Sequence, residues 1–116
     1  PLPGGALIVP VGKTKDAGWE IGVSRTVPIP LDEAWARIED PVAWLGEPAA
    51  DVRSLHPLQL IRVGWHGTIV QVRVVPMKTG TSVRFHQERL GDAHERERQR
   101  RHWRSVLDRL FPETRR

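Results

Sequence analysis

The feature that most constrains this chain is a series of alternating apolar and polar residues in its second half. Along residues 59–65, 68–76 and 81–89, apolar side chains recur at alternate positions, which is typical of strands with one buried face. The links between these runs, at 66–67 and 78–80, are very short. Such links join neighbouring strands into antiparallel hairpins. The sequence therefore predicts an antiparallel sheet whose apolar face must be covered by another element.

The rest of the chain supplies two more strands and three helices. They are predicted at 20–29 and 52–56, and at 31–39, Val42–Leu45 and Ala93–Leu110. Gly46 follows the second short helix as a C-terminal stop, and Asp92 is a natural N-cap for the long one. Arg25 lies on the apolar face of the first strand, where it would either contact a ligand or extend to solvent at the sheet edge.

Only the terminal helix, roughly 27 Å long, can cover the apolar face of the sheet. Its apolar stripe is confined to its second half, at Trp103, Val106, Leu107 and Leu110. The two short helices close one end of the sheet, so a space is expected between sheet and helix. The predicted fold class is α+β: a curved antiparallel sheet wrapped around a long C-terminal helix, with two short helices after the first strand.

Composition excludes several classes of protein. The 116 residues suffice for one domain, which we place at 19–116, after a flexible arm or linker at 1–18 with a possible strand at 6–11. The absence of cysteine excludes a disulfide scaffold and a thiol nucleophile. No apolar run reaches the roughly 18 residues that cross a bilayer, so no membrane insertion is predicted. No leading positive charge or cleavage site is present, and a cytoplasmic location is expected.

The net charge of +4 does not by itself indicate a nucleic-acid partner. The densest basic cluster lies on the terminal helix, interleaved with Glu95 and Glu97, and comprises Arg96, Arg98, Arg100, Arg101 and Arg104. This spacing is typical of a solvated helix face with ion pairs, and no nucleic-acid motif accompanies it. The five histidines show no metal-ligand spacing, so neither a metal nor a cofactor is predicted.

Several short strings in this order resemble the START-like, or SRPBCC, superfamily, and within it the branch named for activators of the heat-shock-protein-ninety ATPase. The strings lie at 23–28, 33–35, 40–46, 76–83, 102–103 and 106–110. The resemblance spans about residues 19–111 and implies the helix-grip fold of the birch-pollen allergen. It also implies a short hairpin after the second helix, for which residues 47–50 are too few. Either the sheet is reduced or residues are absent here, and a missing hairpin would open one side of the cavity.

Seven residues are predicted to line the space between sheet and helix, and none is predicted to be catalytic. They are Trp44, Trp65, Val72, Phe85, Gln87, Trp103 and Leu107. For Trp44, Trp65 and Phe85, plain core packing is the alternative to cavity lining, and for Trp103 the helix stripe favours core packing. Gln87 follows Phe85 on the inward face, where its amide would orient a ligand or bond to neighbouring protein groups or water.

Three functions follow as hypotheses. The favoured one is non-catalytic binding of a small apolar or amphipathic molecule in that space. The resemblance also implies an enzyme, because some relatives cyclise or dehydrate polyketides, although no inward acid, tyrosine or histidine is evident in the pattern. The third, implied by the name of the branch, is interaction with a chaperone whose ATPase the protein would stimulate. The sequence fixes neither the ligand nor the oligomeric state.

Overall fold

A computed structural model describes residues 13–14 and 18–114 of the chain. The elements in chain order are β1 (Lys13–Thr14), β2 (Gly18–Val27), α1 (Leu31–Ile38), α2 (Val42–Leu45), β3 (Asp51–His56), β4 (Leu60–Trp65), β5 (Thr68–Met77), β6 (Gly80–Leu90) and α3 (Ala93–Leu110). A 3₁₀ turn, Pro112–Thr114, follows α3. The predicted strand at 6–11 and most of the predicted arm at 1–18 lie outside the described residues. Within that arm, β1 pairs with the start of β2.

The described strands form one antiparallel sheet in the order β1-β2-β6-β5-β4-β3. The predicted meander is confirmed, because β3 to β6 each pair with the next strand in the chain. Phe85 of β6 lies opposite Val23 of β2 on one side and opposite Val72 of β5 on the other. These three side chains are buried and share the inner face of the sheet.

The helices pack on the sheet as the apolar stripes predicted. The second half of α3 buries Trp103, Val106 and Leu107, and its main contacts are with β2 and β6. Helix α1 packs against β5 and β6 and buries Ala34, Trp35 and Ile38. The fold class is therefore confirmed as an antiparallel sheet with a long C-terminal helix on its inner face and two short helices after β2.

The helix ends follow local sequence signals. The Asp92 carboxylate accepts a hydrogen bond from the Glu95 backbone N–H at 2.7 Å, as expected of an N-cap. Gly46 ends α2 with φ of 80°, in the left-handed region that glycine favours. On the polar half of α3, Glu95 pairs with Arg98 and Glu97 pairs with Arg100, so the predicted ion-paired face is confirmed.

Neither expectation for Arg25 is confirmed. Strand β2 is not at the sheet edge, since it lies between β1 and β6. The Arg25 guanidinium donates to the Asp108 carboxylate of α3 at 2.7 Å, with both groups partly buried. The pair joins the middle of β2 to the terminal helix and satisfies the charge on an otherwise apolar face.

The segment after α3 is attached to α1 by a second polar cluster. The Arg37 guanidinium bonds to the Glu113 carboxylate at 2.6 and 2.8 Å and to the Leu110 carbonyl at 2.9 Å. The same guanidinium lies 5.4 Å from the ring centroid of Phe111, which is fully buried. These contacts extend the core beyond the last residue of α3.

Candidate functional site

Four of the residues predicted to line the ligand site form a cluster of aromatic rings. Trp103 of α3 stacks on Phe85 of β6, with ring centroids 5.1 Å apart and planes inclined by 21°. Trp44 of α2 and Trp65 of β4 lie at 6.4 and 5.9 Å from the same Trp103 ring. Three elements besides α3 therefore converge on one indole, and the cluster fixes how the helix sits on the sheet.

A chain of hydrogen bonds runs through this cluster. The Trp103 indole N–H donates to Gln87 Oε1 at 2.8 Å, and Gln87 Nε2 donates to Thr68 Oγ1 at 3.0 Å. The Thr68 hydroxyl donates in turn to the Trp65 carbonyl at 2.6 Å. Gln87 is only 2% exposed, so both ends of a buried amide are satisfied by protein groups. Two roles were predicted for the Gln87 amide, orienting a ligand and bonding to neighbouring groups. The observed contacts are those of the second role.

The seven predicted residues come together in space. Six are buried in the core, namely Trp44, Val72, Phe85, Gln87, Trp103 and Leu107. Trp65 belongs to the same cluster but is only partly buried. That these residues line a ligand site stays a prediction, because the contacts described above are equally those of a packed core. Of the seven predicted residues, Trp65 is the one that reaches solvent.

Beside Trp65, apolar side chains of β3 on the inner face of the sheet are exposed. Val52 and Leu55 of β3 lie opposite Val63 and Ile61 of β4, so they share the inner face with those two buried residues. Yet Val52 and Leu55 are 51% and 53% exposed. The irregular register between Val52 and Ser54 explains how residues three apart face the same way. We call Val52, Leu55 and Trp65 the open strip.

Trp65 lies between two histidines at one end of the open strip. Its ring centroid is 4.7 Å from that of His66 and 6.4 Å from that of His102, the latter ring being nearly parallel. Within the described part of the chain, the buried Trp65 indole N–H has no acceptor. Desolvation, and secondly the charge of Arg109, lower the pKa of His102, which favours a neutral imidazole. Glu47 lies 3.4 Å from His66 at the rim.

Sequence reasoning found Trp65 but missed the rest of this surface. Residues 52–56 gave only a weak strand pattern, because the extra residue at the irregularity breaks the alternation. Without the register, Val52 and Leu55 cannot be assigned to one face. The sequence places His102 beside the core residue Trp103 on α3. Its contact with Trp65 of β4 could not be predicted, because the two residues are distant in sequence.

Solved structures with the same architecture are known. The protein SSP2350 from Staphylococcus saprophyticus superposes with a TM-score of 0.66 at 14% identity, over 79% of this chain and 88% of that one. An AHSA1-like protein from Rhizobium etli superposes with a TM-score of 0.63 at 17% identity, over 80% of this chain and 79% of that one. For CalU16 from Micromonospora echinospora the TM-score is 0.64 at 18% identity, over 84% of this chain and 76% of that one. The chain has the helix-grip fold.

The resemblance to START-like proteins is thus confirmed at the level of fold. Comparison of the sequence with family models and with curated proteins gives no match. None of the described helices is both long and apolar enough to cross a bilayer. Among residues 13–14 and 18–114, no three His, Asp or Glu side chains are grouped as metal ligands would be.

Proposed function

We propose that this domain binds a small apolar or amphipathic molecule along the open strip. The observation that carries the proposal is the exposure of Val52 and Leu55 on a sheet face whose neighbouring members are buried. A ligand lying there would extend the apolar surface formed by Ile61 and Val63. It would remove the side chains of Val52 and Leu55 from water. Such burial contributes roughly 25 cal/mol per Å² of apolar area.

The Trp65 end of the open strip indicates which polar group the ligand should carry. A buried donor without an acceptor costs about 1–3 kcal/mol, so a carbonyl, ether or hydroxyl oxygen placed at the Trp65 indole N–H would relieve that cost. The lowered pKa of His102 favours an uncharged imidazole beside the indole at neutral pH. These features favour a neutral molecule with one hydrogen-bond acceptor over an anion.

The test combines tryptophan fluorescence with native mass spectrometry. The purified protein is titrated with fatty alcohols and with neutral aromatic ketones, and its mass is measured for any co-purified molecule. Val52→Ser and Leu55→Ser should each weaken binding by about tenfold, which corresponds to 1.4 kcal/mol. Met77→Ser is the matched control, because Met77 is 46% exposed but lies at the far end of β5.

Trp65→Phe separates the polar contact from simple stacking. The variant keeps an aromatic ring but has no indole N–H, so it should discriminate less between a ketone and the hydrocarbon of equal size. The proposal is wrong if the Met77 variant loses as much affinity as the strip variants, or if neither ligand series binds.

Catalysis is the second candidate, favoured by one observation. His102, with its lowered pKa, lies at the strip beside Trp65, where a neutral imidazole could accept a proton. Mass spectrometry of bound ligands before and after incubation distinguishes the two functions. An unchanged ligand supports binding alone, whereas a product whose formation His102→Gln abolishes supports an enzyme.

A further inference from the structure

The outer face of the sheet carries a row of polar residues that ligand binding on the inner face does not use. Arg84 of β6 lies opposite Ser24 of β2 and opposite Arg73 of β5. Residues directly opposite in antiparallel strands point to the same face with neighbouring Cβ atoms. All three side chains are exposed, so one solvent-facing row contains a hydroxyl and two guanidinium groups. We call Arg73 and Arg84 the basic pair.

The basic pair is unfavourable on its own. Like charges directly opposite each other across two strands destabilise a sheet. Among the residues that the structure describes, neither guanidinium has a carboxylate within 4.0 Å, whereas other arginines of the sheet such as Arg25 and Arg62 are paired with acids. The one hydrogen bond described for the pair is from Arg84 Nε to the Ser82 hydroxyl at 3.2 Å.

The surroundings leave room for an anion beside Arg84, between β2 and β6. A shallow cleft of about 290 Å³ is lined by Gly22, Val23, Ser24, Arg84, Phe85 and His86. Gly22 lies opposite His86 and has no side chain to fill the cleft. The nearby acids Glu20 and Glu88 are engaged by His86 and Arg62, at 3.2 and 3.1 Å. Of these two carboxylates, Glu88 is therefore already paired with a guanidinium outside the basic pair.

We propose that the basic pair, with the Ser24 hydroxyl, binds a phosphate group on the outer face of the sheet. Two guanidinium groups present several N–H donors to a dianion, and arginine matches phosphate geometry better than lysine does. The phosphate is that of a small phosphomonoester or free inorganic phosphate. Its charge converts the repulsion within the basic pair into two favourable interactions. This site is independent of the open strip, which lies on the opposite face.

Thermal unfolding and calorimetric titration test the site. Inorganic phosphate and glycerol phosphate are each compared with chloride at the same ionic strength. Phosphate should raise the melting temperature of the parent protein more than chloride does. Arg73→Gln and Arg84→Gln should each weaken phosphate binding by about tenfold or more. Arg104→Gln, an exposed arginine of α3, is the control and should bind as the parent does.

A second readout distinguishes a binding site from general attraction by a basic protein. Without phosphate, the Arg73 and Arg84 variants should melt no lower than the parent, because each removes a like-charge contact. Tighter binding of glycerol phosphate than of inorganic phosphate assigns the site to a monoester, and equal binding assigns it to the free ion. The proposal is overturned if the Arg104 variant loses as much affinity as the pair, or if phosphate acts only as chloride does.

Discussion

Replacing Gln87 with leucine should destabilise the domain, although leucine is the more apolar side chain. The Gln87 amide accepts from the Trp103 indole N–H at 2.8 Å and donates to the Thr68 hydroxyl at 3.0 Å, inside the aromatic cluster. Leucine fills a similar volume but leaves the indole donor buried without an acceptor. The Thr68 hydroxyl keeps its bond to the Trp65 carbonyl, so the main loss is at Trp103.

The size of the effect follows from these contacts. An orphaned buried donor costs about 1–3 kcal/mol, and the second hydrogen bond lost adds about 1 kcal/mol. The extra apolar surface of leucine offsets part of this cost, by roughly 1 kcal/mol. The net loss in the free energy of unfolding should be about 2 kcal/mol. For a domain of this size, that lowers the melting temperature by roughly 8 °C.

Urea unfolding of Gln87→Leu, Trp103→Phe and the double variant measures the coupling directly. In the Trp103→Phe background no indole donor is left, so the Gln87 substitution should cost about 1–2 kcal/mol less than in the parent. Gln71→Leu, on the outer face of β5, controls for the general effect of this substitution and should change stability by less than about 0.5 kcal/mol. Equal costs for Gln87→Leu in both backgrounds would refute the reasoning.

Two further substitutions test the backbone and the C-terminal contacts. Gly80→Ala should cost roughly 2 kcal/mol or more in urea unfolding, since an added Cβ would lie 2.0 Å from the Val27 carbonyl oxygen, whereas Gly91→Ala meets open space and should be near neutral. The hydrogen bond from Arg37 lowers the pKa of Glu113 from 4.5 to about 2, so its stabilising contribution is complete above pH 4.5 and lost as the pH falls toward 2. Glu113→Gln should therefore flatten the acid limb of the melting-temperature profile, and an unchanged slope would contradict the assignment.

Local signals were sufficient for the helices and for the order of strands. The bounds Val42–Leu45 and Ala93–Leu110 were predicted correctly, because Gly46 and Asp92 end or begin a helix through contacts within four residues. Strand ends differed by one or two residues, since the pairing of neighbouring strands decides where a ladder stops.

Contacts between distant residues could not be predicted in the same way. Alternation placed Gln87 on the inner face, but its partner Trp103 is known only once α3 is docked. Arg25 and Asp108 are 83 positions apart, and neither residue type signals the other. The exposure of Val52 and Leu55 depends on a register irregularity in β3, which is a property of the paired strands and not of residues 51–56 alone.

The two proposed sites should behave independently because they use alternate residues of the same strands. In β6, Arg84 faces outward and its neighbour Phe85 faces the core, so a change at the basic pair leaves the aromatic cluster unchanged. The open strip lies on β3 and β4, at the other end of the sheet from β2. Free energies of binding for an apolar ligand and for phosphate should therefore add in the same protein sample. A departure from additivity would show that the two faces are energetically linked through the sheet, and would contradict this independence.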